Sequence, residues 1–205
     1  MKSFLLCSAL VLLGGCSGPS AYHYTLSPAA DRTPSAALSA LPTPSAAKAY
    51  VLGPVTVPSE VDSTMLVTRE ANGRLLLLSD DRWTAPLSAH LQSALGLELT
   101  QALGMPPLQN ITQALAQTTA TLIQVDVQRF DLVPGQYVAL DALWRLRFEQ
   151  GAQVLTCFSR FKQNVEIGVS ALVLGQQKNT QLLSAQIAQA LSTRTAPSEA
   201  SCTRT

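Results

Sequence analysis

Four cysteines, at positions 7, 16, 157 and 202, offer the most varied chemistry in this 205-residue chain. A thiol can carry a covalent group, pair with a second thiol, ligate a metal or act as a nucleophile. The usual helpers for the last two tasks are scarce. There are two histidines, His23 and His90, and neither has a Cys, a second His or a carboxylate at ligand spacing, so no metal site is expected. No Gly-rich phosphate loop and no serine in a nucleophile-elbow pattern occurs. Asp80-Asp81 is a paired carboxylate placed before a helix, where capping or dipole pairing is favoured over acid-base work. The expectation is a chain with no catalytic residues, no cofactor and no enzymatic activity.

Covalent attachment is the reading the N-terminus supports. Met1-Lys2-Ser3 supplies one positive charge, Phe4 to Leu13 is apolar, and Leu13-Gly14-Gly15-Cys16 follows. This is a secretory signal pattern. Its apolar stretch of about ten residues is half of what a bilayer span needs. The four residues ending at Cys16 resemble the bacterial lipobox, in which the peptidase reads a Leu and two small residues and the Cys sulfur carries diacylglycerol. The rival reading is an ordinary signal peptide with a chance Cys. Two or more acyl chains, palmitate among them, hold a protein firmly on a membrane. Ser17, where an Asp would retain a lipoprotein at the inner membrane, points to the outer membrane and its periplasmic face.

With Cys7 in the removed segment and Cys16 acylated, Cys157 and Cys202 are left in an oxidising compartment. A bridge between them would close a loop of about 45 residues, worth about 4 kcal/mol in the chain-entropy model. Two unrelated thiols are the alternative.

The elements that must position these residues follow from periodicity. Residues 1–15 are read as signal peptide, 16–47 as lipidated N-terminus and tether, 48–195 as the folded domain and 196–205 as a loose tail. Ser27 to Ala47 is rich in Ala, Ser, Pro and Thr and lacks apolar periodicity, which suits a tether. Tyr50 to Val57 reads as a strand interrupted by Gly53-Pro54, hence an edge or a bulge. Thr64 to Arg69 and Arg74 to Leu78 flank Asn72-Gly73, a hairpin signal. Ala85 to Leu103 is the clearest helix, with Leu87, Leu91, Leu95, Leu99 and Leu103 in one stripe, Thr84 as cap, Pro86 in the first turn and Gly104 as stop. Thr121 to Asp131, Tyr137 to Glu149 and Val154 to Lys162 alternate as an antiparallel meander with one wet face. A last helix ends near Ser192, and Gly175 with the Gln-Gln-Lys-Asn stretch is expected to break it in two. The predicted class is α+β: a mainly antiparallel sheet with two helices packed on one face.

Three surface candidates remain. Trp83 is a core plug or a partner anchor. Arg145 and Arg147 share a strand face with Asp141, either as a solvated, cross-strand-paired face or as a docking surface. The low charged content of 13% and net charge of +1 disfavour nucleic acid.

Several segments together carry a family resemblance. Tyr22-His23-Tyr24-Thr25-Leu26, Val55-Thr56-Val57-Pro58 with Met65-Leu66-Val67-Thr68-Arg69, and Asp81-Arg82-Trp83-Thr84-Ala85-Pro86-Leu87 resemble, in order and spacing, motifs of the PqiC/YmbA-like ABC-type transport auxiliary lipoproteins. Ser59-Glu60-Val61-Asp62-Ser63 departs from that pattern. The resemblance implies an outer-membrane lipoprotein serving an MCE-domain, periplasm-spanning protein and its ABC transporter in lipid transport and membrane integrity, with a homo-oligomer among the options. Two other roles stay open from the sequence: a scaffold lipoprotein for an outer-membrane β-barrel, and a carrier that holds lipid between helix and sheet.

Overall fold

A computed structural model describes residues 21–27, 49–108, 120–148 and 153–204. The strands are β1 (Tyr22–Tyr24), β2 (Tyr50–Thr56), β3 (Met65–Arg69), β4 (Leu75–Trp83), β5 (Thr121–Val133), β6 (Tyr137–Phe148), β7 (Gln153–Asn164) and β8 (Ser201–Arg204). The helices are α1 (Leu87–Leu103) and α2 (Val169–Thr193). The class is α+β, as the periodicities imply.

The alternating residues of β5, β6 and β7 build the larger sheet, in the order β2-β5-β6-β7-β8, with β2 parallel to β5 and the other pairs antiparallel. Val138, Leu140, Ala142, Trp144, Leu146 and Phe148 of β6 all point to the buried face. β2 lies at the edge, and its register shifts between Leu52 and Val55, where Pro54 cannot donate to a ladder. Helix α1 packs on β2 and α2, and α2 packs on β5, β6 and β7. The leucine stripe of α1 is buried from Leu87 to Leu103, and Gly104 ends the helix at φ 71°.

The structure corrects several expectations. The single sheet is two: β1, β4 and β3 form a separate three-stranded sheet, tied to the first where Arg69 of β3 donates to Asp131 of β5 at 2.8 Å. Arg129 reaches the same carboxylate, which is 4% exposed. Strand β4 runs on to Trp83, so Asp80-Asp81 lies in a strand and caps nothing. The cap of α1 is Asp62, from the turn where the sequence departs from the family pattern: its carboxylate accepts from Ser88 N–H at 3.0 Å and Ser88 Oγ at 3.1 Å. Helix α2 is one unbroken helix of 25 residues. Gly175 is not a break in it but the point of closest approach, since a Cβ there would stand 2.6 Å from Val138 Cγ2. The Gln and Asn residues that suggested a loop are buried polar partners: Gln176 Nε2 donates to the carbonyls of Asp131 and Ala139 at 3.0 Å each. The tail is not loose, because β8 pairs with β7.

The tether assignment for 16–47 also changes. Tyr22–Tyr24 pairs in parallel with Asp81–Trp83, and Leu26 is 1% exposed in the core. The Ala/Pro/Ser-rich stretch, whose residues 28–48 lie outside the described set, therefore follows a segment already built into the domain and does not separate Cys16 from it.

Candidate membrane anchor and docking face

Cys16 lies outside the described residues, but the chain six positions later is firmly placed. Tyr24 Oη donates to Asp81 Oδ1 at 2.9 Å, and Gln177 Nε2 of α2 donates to the Thr25 carbonyl at 2.8 Å. Burial and the neighbouring Asp81 push the Tyr24 phenol above its ordinary value. Leu26 N–H donates to His90 Nε2 at 2.9 Å. That contact fixes the neutral tautomer with the proton on Nδ1, which faces Thr84 Oγ1 at 3.4 Å. Burial holds the His90 imidazole below its ordinary value, consistent with an acceptor nitrogen. His90 is thus a buried clasp, 7% exposed. Six residues reach about 20 Å at full extension, which sets the largest separation of Cys16 from Tyr22.

Trp83 is 2% exposed and packs against His90 at 5.7 Å and Phe130 at 6.4 Å between ring centroids. This enclosure assigns it to the core, where it backs the clasp, and removes it as a surface anchor for a partner.

Cys157 and Cys202 are joined by a disulfide, S–S 2.02 Å, opposite one another in the β7–β8 register. Next to it, Trp144 Nε1 donates to Ser159 Oγ at 2.9 Å, and Ser159 Oγ donates to Gln186 Oε1 at 2.6 Å. The network joins β6, β7 and α2 through groups that share no solvent.

Arg145 and Arg147 project from the opposite, open face of this sheet and are exposed. Among the described residues neither forms an ion pair. Cross-strand neighbours on that face are Gln124 and Thr156 for Arg145, and Leu122 and Val154 for Arg147. Further along β7, the Arg160 guanidinium lies 4.8 Å from the Phe158 ring centroid. Phe158, Arg160, Glu199 and Ser201 line a cleft of about 310 Å³. The face is therefore a mixture of guanidinium groups and half-buried apolar side chains, a composition suited to protein contact. Among the described residues no cluster of three His, Cys, Asp or Glu could hold a metal ion, and no helix is long and apolar enough to cross a membrane.

The residues that sequence reasoning missed are His90, Asp62 and Gln177. Each acts on a segment distant in sequence, and none carries a local motif.

Comparison with known proteins now bears on this arrangement. No curated protein matches. Solved structures share the fold, among them the following two. One, described as an uncharacterized protein, has a TM-score of 0.65 at 18% identity, covering 84% of this chain and 99% of its own. The other, protein XCC0632 from Xanthomonas campestris, of the DUF330 family, has a TM-score of 0.56 at 12% identity, covering 70% of this chain and 83% of its own. The family model for the ABC-type transport auxiliary lipoprotein component matches residues 24–188, from the last residue of β1 nearly to the end of α2. The chain therefore belongs to the ABC-type transport auxiliary lipoprotein family.

Proposed function

We propose that this protein is a non-enzymatic auxiliary subunit of an MCE/ABC-type intermembrane lipid transport system, anchored through acylated Cys16 to the periplasmic face of the outer membrane. The family match over residues 24–188 carries the reading. The lipobox-like Leu13 to Cys16 and Ser17 support the anchor and its outer-membrane address. Between helices and sheet, Leu91, Leu95, Trp144 and Ile187 are all 0% exposed, which favours an accessory over a lipid carrier. The domain joins the membrane through β1, and the open face bearing Arg145 and Arg147 is free to receive the MCE-domain protein. Copies of the chain could gather around that partner as a homo-oligomer.

The test is affinity isolation of the full-length protein from detergent-solubilised membranes, with a photo-crosslinking residue at position 145 or 147. The expected product is a crosslink to an MCE-domain protein, with outer-membrane fractionation. A crosslink to an outer-membrane β-barrel, with no MCE or ABC component recovered, overturns the transport role and favours the scaffold role.

A further inference from the structure

The three-stranded sheet carries the feature left unused by the anchor and the docking face. Leu76 and Leu77 of β4 are 47% and 48% exposed, and as successive strand residues they project from the two faces of the hairpin. Their backbone pairs with β3 on one side. On the other side β1 covers only Asp81 to Trp83, so among the described residues nothing pairs with Leu76 or Leu77 there.

The direction of β1 gives these leucines a neighbour. β1 is parallel to β4, with Tyr22 opposite Asp81. Continued backward from Tyr22, the direction of β1 points along β4 toward Leu77 and Leu76. Leu77 is four residues before Asp81, about 14 Å along a strand. Cys16 is six residues before Tyr22, a reach of about 20 Å. A chain of that reach, starting from Tyr22, is long enough to bring an anchor at Cys16 to the exposed leucines. The hairpin adds no net field that would repel lipid: Arg74 and Glu70 neutralise one another in a two-pronged pair at 2.9 and 3.0 Å. Tyr22, 64% exposed, adds an amphipathic ring to the same three-stranded sheet.

We infer that the β3–β4 hairpin is a second membrane contact, in which Leu76 and Leu77 seat in the interfacial layer of the bilayer that holds acylated Cys16. The inference rests on the lipoprotein reading. It gives the domain a fixed orientation at the membrane where the anchor alone would let it swivel. Apolar burial drives the contact, so it forms on uncharged phosphatidylcholine.

The mature, acylated full-length protein supplies its own test. Cys16 is blocked by lipid and Cys157 is bridged to Cys202, so an introduced thiol is uniquely reactive. L76C and, separately, L77C are labelled with an environment-sensitive fluorophore, with R145C on the open sheet face as reference. The proteins are reconstituted in phosphatidylcholine vesicles containing a lipid with a nitroxide high on its acyl chain. The expected result is at least about twofold quenching at 76 and 77 with none at 145. Equal, unquenched emission at all three sites, in protein that carries acyl mass and floats with the vesicles, overturns the hairpin contact alone. A label at 76 that is shielded from water yet unquenched, with copies associating on the vesicle, assigns the leucines to a second copy and also overturns it. Protein whose intact mass shows no acyl groups removes the lipoprotein reading and the contact together.

Discussion

The two sheets of this molecule are built to different standards of closure. In the five-stranded sheet, the long strands β5, β6 and β7 carry the meander, one face is sealed by two helices, and the last edge is held by a disulfide. Its polar groups are arranged in chains, Trp144 to Ser159 to Gln186 and Gln176 to two carbonyls. The three-stranded sheet has a three-residue edge strand, two exposed leucines and a handful of clasping bonds from His90, Asp81 and Gln177. The first is a scaffold that holds its shape by packing. The second fastens the N-terminal segment to that scaffold.

Substitutions separate the two roles. The largest effect is expected for Trp144→Ala, which empties a site at 0% exposure. Loss of about 3–5 kcal/mol in denaturant unfolding is expected, since the cavity adds to the lost burial. Replacing both Cys157 and Cys202 with Ala releases β8 and lowers stability by about 2–5 kcal/mol. The β7–β8 edge should then lose amide-exchange protection while β1 keeps its own.

On the clasp side, His90→Ala leaves the buried Leu26 N–H without an acceptor, at a cost of about 1–3 kcal/mol. Amide exchange should quicken over Tyr22 to Leu26 well before the meander changes. The same contact has a pH signature. The folded state depresses the His90 proton affinity, so the unfolded chain binds the proton more readily. Stability is full above the unfolded imidazole value of about 6.5 and falls as pH drops through and below it. His90→Gln keeps an acceptor for Leu26 and should flatten that slope in thermal melts. Asp62→Ala removes the cap of α1 and should cost about 1 kcal/mol. Leu76→Ser, at an exposed site, should change stability by no more than about 0.5 kcal/mol, sharpening the contrast between scaffold and contact residues.

Legibility in the sequence divides along the same line. The leucine stripe of α1, its Gly104 stop, the Asn72-Gly73 hairpin and the alternation of β5 to β7 are local periodicities, and each became the element it implied. The family was legible too, because its motifs lie in order along the chain. Long-range pairing was not. Three residues of β1 carry no measurable period, and their partner strand is 59 positions away. The polar run in α2 looks like a loop until the sheet carbonyls that Gln176 satisfies are in view. Asp80-Asp81 hid the continuation of β4, since carboxylates are poor strand formers. Arg145 and Arg147 were visible as one strand face, but only the fold shows them exposed, unpaired among the described residues and beside half-buried apolar groups. Composition marks Ser27 to Ala47 as tether-like but gives no sign that the chain before it, Tyr22–Tyr24, is already paired into the domain.

The most direct test of the account is the mass of the N-terminal peptide from the mature, membrane-extracted protein. The account predicts a peptide that begins at Cys16 and carries diacylglycerol on its sulfur. A mature chain that begins elsewhere, or one with an unmodified thiol at position 16 in a protein that washes freely from the membrane, would contradict it.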